Sequence, residues 1–436
     1  MIKTLLILML IGGSVGSRAE TKTFGDWVDR YVEVDPAIGA AKARMEESEF
    51  RVNEASGSFF PSVVANLSKL ENNSADVTTG GGFGGSFSSF FVDTLYSAEL
   101  ALTQPIFIGG KLWAGLHLSQ ARRDSAKAEY NLALHLGAVS FVEKVVNWSL
   151  LQREYEAVNQ SFETQKSYVN LTRRKVKRGT AKRYELDQNL SDLYSYETRL
   201  TQIQLRRDQL RKDLSEVLQW EEKDIATVNL PTIRTELPLN EAQLLTMALE
   251  NRPDLIQAEK TVEAAQANRR LEGGDHLPSV SLSATYGYKA EELDQLGESG
   301  TDSSSVILGI SIPLFSGFSG VNNLRANNKA ILAAELNLEK VRRQVYTDVG
   351  NALNQFKTTQ KLYGQAQRWK RSADKAFKGG DRNFKNGVIG NLQILTLQVQ
   401  RERAAIGFIE AERAYQLAAA QLYAMVGKSP LELYRK

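Results

Sequence analysis

An internal duplication is the strongest constraint on how this 436-residue chain can fold. Asp35-Pro36 and Arg252-Pro253 each open a helical stretch. In both cases a Pro-Ser pair follows 25 residues after the proline, at Pro61-Ser62 and at Pro278-Ser279. Two related segments come next, Gln104-Pro105-Ile106-Phe107-Ile108-Gly109 and Ile312-Pro313-Leu314-Phe315-Ser316-Gly317. From there an offset of 208 residues pairs Gly179 with Gly387, Leu186 with Ile394 and Leu214 with Leu422. An ordered series at fixed spacing marks a repeat of structural units. It divides the chain into a first repeat over 20–235 and a second over 236–436, with residues 1–19 in front.

Those first residues read as a secretory signal. Lys3 supplies the positive charge, Leu5 to Ile11 form a short apolar run, and Ser17-Arg18-Ala19 ends in small residues that a signal peptidase accepts. Cleavage is expected after Ala19, leaving Glu20 first. A spanning helix takes about 20 apolar residues, more than this run offers. No cysteine is present, which excludes disulfides, thiolate metal sites and a lipid anchor on an N-terminal cysteine. Losing Lys3 and Arg18 would bring the formal charge of +3 to about +1, so global charge gives no case for nucleic acid.

Within each repeat the helices and strands separate cleanly. No proline occurs between Pro105 and Pro231, or between Pro313 and Pro430, and both stretches are rich in good helix formers. Leu186, Leu190, Leu193, Leu200, Ile203 and Leu210 recur mostly at steps of three and four, the pattern of a packed helical seam. Long helices are expected over about 111–178 and 319–386, each with a return helix after a tip near 179 or 387. The strand pairs are expected within 61–108 and 278–315. Ser279 to Tyr288 alternates Val280, Leu282, Ala284, Tyr286 and Tyr288 with Ser279, Ser281, Ser283, Thr285 and Gly287. Tyr96 to Thr103 alternates in the same way, and 62–70 and 306–312 are compatible. Period two over about ten residues, apolar against small polar, suits a membrane barrel strand with a wet lumen. Pro61, Pro105, Gly109, Pro278, Pro313 and Gly317 mark the strand ends.

Aromatics gather where two membrane interfaces would lie. Phe59, Phe60, Phe107 and Phe315 sit at the helix-proximal ends; Phe90, Phe91, Tyr96, Tyr286 and Tyr288 sit toward the distal ends. Four strands cannot close a barrel, and lipid cannot satisfy an open sheet edge, so the chain must share its sheet with copies of itself. The expected fold is α+β: a membrane β-barrel built from four strands per protomer, continued by a long antiparallel α-helical coiled-coil barrel.

In their order and spacing the duplication, the Pro-Ser strand entries, the Pro-x-Phe-x-Gly exits and the two glycine turns resemble the TolC-type outer-membrane efflux protein family. That resemblance spans the whole chain after residue 19. It implies a homotrimer with a twelve-stranded barrel in outer-membrane lipid and a helical tunnel in the periplasm. It also implies a periplasmic adaptor (membrane fusion) protein and an inner-membrane pump of RND, ABC or MFS type as partners. The cargo would be drugs and other small molecules, or proteins by a type I secretion route. The periplasmic tip and adaptor docking residues would be Arg178, Gly179, Thr180, Arg183, Asn386, Gly387 and Val388. Relatives often place aspartates shortly after the second turn. Here Gln393 and Thr396 stand there, while Glu185 and Asp187 near the first tip offer a different acidic ring.

The first tip is strongly basic, with Arg173, Arg174, Lys175, Lys177, Arg178, Lys182 and Arg183. It reads either as a solvated turn or as an electrostatic surface for an acidic adaptor or for locking pairs. Gly80, Gly82 and Gly85 match a dinucleotide fingerprint in spacing, but they lie between two strands and not before a helix. His117, His135 and His276 have no metal-ligand spacing. No nucleophile–base pair is evident, and neither a cofactor nor an enzyme activity is expected. The alternative reading is a periplasmic adaptor or a coiled-coil scaffold of the cell envelope.

Overall fold

The structure, a computed structural model, describes residues 23–71, 94–225, 230, 233 and 237–434. The expected leader, the loop residues 72–89, Phe90, Phe91 and Pro231 lie outside the described residues. Prolines and short polar side chains set the helix starts. Thr23 and Asp26 form a reciprocal capping box for α1 (Phe24–Val34). Asp35 Oδ1 accepts from the backbone N–H of Ala37 and Ile38, and Pro36 opens α2 (Pro36–Gly57) at the position where a missing N–H does no harm. Pro253 starts α6 (Pro253–Gly273) in the same way, after α5 (Glu241–Asn251). The segment before the first strand therefore forms two helices, broken at Asp35 because the residue before proline is driven out of helical geometry.

The long helices are α3 (Lys111–Lys177) and α7 (Ser319–Lys385), each of 67 residues. They return as α4 (Arg183–Leu218) and α8 (Asn391–Met425). All four begin 208 residues apart from their counterparts, and the backbone repeats the same interval in finer detail. Left-handed residues occur at Gly109 and Gly317, Gly110 and Phe318, Gly179 and Gly387, and Gln219 and Gly427. Only glycine adopts that geometry without steric penalty, so Phe318 and Gln219 hold it because the turn requires it.

The strands β1 (Ser62–Glu71), β2 (Thr94–Ile108), β3 (Ser279–Ala290) and β4 (Asp302–Ser311) form one antiparallel sheet in the order β1-β2-β3-β4. Pro105 lies inside β2 and Pro313 lies beyond β4; neither is the terminal strand residue. The β2–β3 register shifts between Pro105 and Phe107. β1 pairs with β2 only as far as Thr103, so Pro105 sits where one side of β2 has no neighbour and a missing N–H is tolerated.

The chain divides into two compact units. One comprises Met1–Gly39, Leu134–Glu250 and Asp348–Lys436; the other comprises Ala40–Ala133 and Asn251–Thr347 and holds the sheet. Each draws on both repeats. In the first, Tyr31 stacks on Phe141 at 4.5 Å, Trp27 meets Trp220 edge-on at 5.7 Å, and Val142, Val145 and Val146 are fully buried around them. In the second, Leu118, Ala121 and Ala128 of α3 and Leu255, Ala258 and Val262 of α6 are buried. Among the described residues no helix is long and apolar enough to cross a membrane.

Candidate functional site

Pairing in register gives the sheet two unlike faces. Val63 lies opposite Leu102, Leu100 opposite Tyr286, and Leu282 opposite Leu308, so the apolar sets of all four strands fall on one side. The other side carries Ser68 and Ser97, whose hydroxyls meet at 2.7 Å, Thr285 and Ser305 at 2.8 Å, and a Lys289–Glu99 ion pair at 2.9 Å. No described residue covers the outer strands of the apolar face. Leu67 is 82% exposed, Val306 74% and Leu308 62%. Contiguous exposed apolar surface on this scale marks a face that meets lipid or another protein. Among the described residues β1 and β4 are both edge strands, each presenting one unpaired row of backbone groups.

The expected aromatic positions distribute around this sheet. Tyr286 and Tyr288 neighbour each other, their hydroxyls 3.3 Å apart, near the Lys69–Tyr96 pairing. Phe107 lies opposite Val280 at the other end, and Phe315 packs edge-on against Phe318 at 5.5 Å, both well exposed. Pro61 and Pro278 directly precede β1 and β3.

In the other unit the two glycine turns share one design. Gly179 donates to Val176 O, and the Thr180 backbone N–H reaches Lys175 O at 2.9 Å. Gly387 donates to Phe384 O, and Val388 reaches Asn383 O at 2.8 Å. This i to i−5 closure around a left-handed glycine is a Schellman cap, which satisfies the last carbonyls of α3 and α7. Arg178, Gly179, Thr180, Arg183, Asn386, Gly387 and Val388 are all exposed, with Val388 71% and its neighbour Leu392 69% exposed.

The candidate constriction residues have separate environments. Glu185 Oε1 accepts from the Lys182 backbone N–H at 3.1 Å and so caps α4. Asp187 pairs with Arg183 one turn back at 3.3 Å. Gln393 and Thr396 are exposed on α8, where the Thr396 hydroxyl donates to Leu392 O at 2.9 Å. Of the basic residues at the first tip, Arg183 has its carboxylate partner and Lys175 lies over the Phe384 ring at 4.8 Å.

Below the turns lies a buried polar cluster that sequence reading missed. Asn189 Nδ2 donates to Asn391 Oδ1 at 3.0 Å and to Glu185 O at 2.8 Å, and Gln165 Nε2 donates to Asn189 Oδ1 at 3.1 Å. Tyr168 donates to Asp381 Oδ1 at 2.8 Å, and burial first, then this carboxylate, pushes the tyrosine well above its ordinary range. The cluster ties α3, α4 and α8 together beside an apolar group of Tyr168, Phe377, Phe384, Ile394 and Leu395. Its signal was present: Asn189 occupies a seam position three residues after Leu186, where the pattern otherwise calls for an apolar side chain. Among the described residues no cluster of histidine, cysteine and carboxylate side chains could hold a metal ion.

Comparison with known proteins agrees with this layout. The outer membrane efflux protein family matches residues 27–218 and 244–428. The outer membrane protein OprJ of Pseudomonas aeruginosa is 24% identical over 179 residues, covering 41% of this chain and 37% of OprJ. SilC of Salmonella typhimurium, described as a probable outer membrane lipoprotein, is 23% identical over 365 residues, 81% of this chain and 75% of SilC. Among solved structures, the outer membrane protein VceC of Vibrio cholerae superposes with a TM-score of 0.77 at 18% identity, over 93% of this chain and 96% of VceC. The CmeC outer membrane channel of Campylobacter jejuni gives 0.79 at 17% identity, over 92% and 85%. The fold is the one these channels share, and the two-part match extends over most of the sequence: the chain belongs to the outer membrane efflux protein family.

Proposed function

We propose that the chain is the outer-membrane channel of a tripartite export system, assembled as a homotrimer whose three sheets close a twelve-stranded barrel. The observation that carries this reading is the four-stranded sheet with one bare apolar face, one hydroxyl-rich face and two open edges. Lipid accepts the first face, water the second, and only copies of the same sheet satisfy the edges without exposing backbone to hydrocarbon. The helical tips then stand in the periplasm and meet an adaptor, which connects the channel to an inner-membrane pump. The exported cargo is a small molecule or a protein, and the pump selects it.

The test is the mass of the purified protein in detergent, together with its conductance in a planar bilayer. A trimer that conducts is expected; a monomer without conductance would overturn the reading. The tip is tested separately. Reversing Arg178 and Arg183 to Glu is expected to reduce export in cells while trimers still form, because an acidic adaptor would meet repulsion where it met attraction. Unchanged export would remove the basic tip from docking.

A further inference from the structure

The exposed side of α7 carries a line of positive charge that neither the tip nor the sheet accounts for. Lys357, Lys361, Arg368, Arg371, Lys375 and Lys378 follow one another at steps of four and three, with Gly364 filling the one remaining place. Arg382 and Lys385 continue the same rhythm to the second turn. Such spacing keeps every member on one stripe of the helix. From Lys357 to Lys385 the stripe runs about 42 Å at 1.5 Å per residue. All of these basic side chains are exposed, while Phe356, Phe377 and Phe384 are buried on the opposite side of the helix.

These charges are almost all uncompensated among the described residues. Among the described residues only Lys385 of this stripe has a carboxylate partner, Asp381 at 2.8 Å. Asp374, which lies between stripe positions, is already held by Lys370 and Arg401. Like charges one turn apart weaken a helix, so the run opposes its own folding. The equivalent face of α3, 208 residues earlier, reads Ser149, Arg153, Glu156, Gln160, Glu163, Ser167 and Asn170 before Arg174 and Lys177. The basic last turn is therefore shared by both repeats, whereas the charge from Lys357 to Lys378 is specific to α7.

Two placements are disfavoured by what surrounds the stripe. A dry contact with a second copy would need a matching line of carboxylates. The exposed carboxylates of α4, Asp187, Glu197, Asp208, Asp213 and Glu216, form no continuous line at steps of three and four, and Asp187 and Asp208 already pair with Arg183 and Arg211. Burying the unmatched cations would cost several kcal/mol per ion. A protein-docking seam would need aromatic or aliphatic anchors, and interfaces are depleted in lysine. This stripe has no anchor and is mostly lysine. Hydrated anions meet neither objection. A row of weak, repeated positive sites attracts them and still lets them leave.

We propose that the α7 stripe lines the water-filled path of the duct and favours solutes of net negative charge; this rests on the channel reading above. The test is the reversal potential of the purified full-length protein in a planar bilayer under a potassium chloride gradient. The wild type is expected to prefer chloride. The combined K361E, R368E, R371E and K375E variant is expected to invert the sign of the reversal potential, and the corresponding Gln variant to bring it toward zero. The Gln set also guards against misassembly of the reversed one, and the oligomeric mass of both is measured alongside. A conducting oligomer that prefers potassium, or whose reversal potential ignores both variants, overturns this inference and leaves the channel standing. Loss of export in cells with unchanged selectivity also overturns it, and assigns the stripe to a protein partner. A wild type that neither assembles nor conducts defeats the channel reading itself.

Discussion

Asn189 connects three helices through one amide group. It donates to Thr172, Glu185 and Asn391 and accepts from Gln165, and both it and Gln165 are fully buried. Replacing it with Ala removes the group but leaves its partners in place. A buried polar group left without its hydrogen bond costs about 1–3 kcal/mol, and here both Gln165 and Asn391 lose one. Asn189→Ala is expected to destabilise the chain by about 2–3 kcal/mol in denaturant titration, although it touches no exposed tip residue. The repeat could not have pointed to this position, because its counterpart 208 residues on is Leu397. The polar cluster breaks the symmetry of the duplication, and a single sequence shows such a break only as an irregularity in the seam.

Elements were more legible than residues, for a physical reason. Helix and strand follow from period and from proline, which are local. The two 67-residue helices and the four strands could therefore be anticipated within a few residues. The left-handed turns at Phe318 and Gln219 could not, since no glycine announces them. Gly379 and Gly380 offer a test within α7. A β-carbon on Gly379 would meet nothing within 4 Å, whereas one on Gly380 would come within 2.3 Å of Leu397 Cδ1. Gly379→Ala is expected to raise stability by about 1 kcal/mol through helix propensity alone, and Gly380→Ala to gain less or to lose. Thermal melts of the two single variants decide it.

Asp374 shows how α7 is fastened to α8. Burial pushes its carboxyl up, but hydrogen bonds from Lys370 and Arg401 outweigh that and hold it below its ordinary value. A carboxylate depressed in the folded state contributes stability above its unfolded pKa and loses it as pH falls through the folded one. The wild type is thus expected to lose stability as pH falls below about 5 more steeply than Asp374→Asn, which has no such proton to take up. Parallel slopes in acid melts would show that the pair contributes nothing.

At the scale of the whole molecule, the proposal of self-association could be read from the sequence because it follows from an unpaired sheet, whatever the copy number. The basic stripe of α7 was not, because lysines and arginines on a long polar helix read as ordinary solvation until burial shows which of them share a side. The sheet makes the final claim testable without a pump or an adaptor. Leu308 lies on the apolar face opposite Leu282, and Ser303 lies on the hydroxyl face opposite Gly287. An arginine facing lipid near the bilayer midplane costs about 2–4 kcal/mol, whereas one facing a wet lumen costs little. In a trimer the penalty is incurred three times over. Leu308→Arg is expected to abolish the detergent-stable oligomer and its recovery in the outer-membrane fraction, with helical circular dichroism retained. Ser303→Arg is expected to assemble normally and to change conductance alone. Equal tolerance of both substitutions would mean that the two faces of the sheet do not meet different solvents.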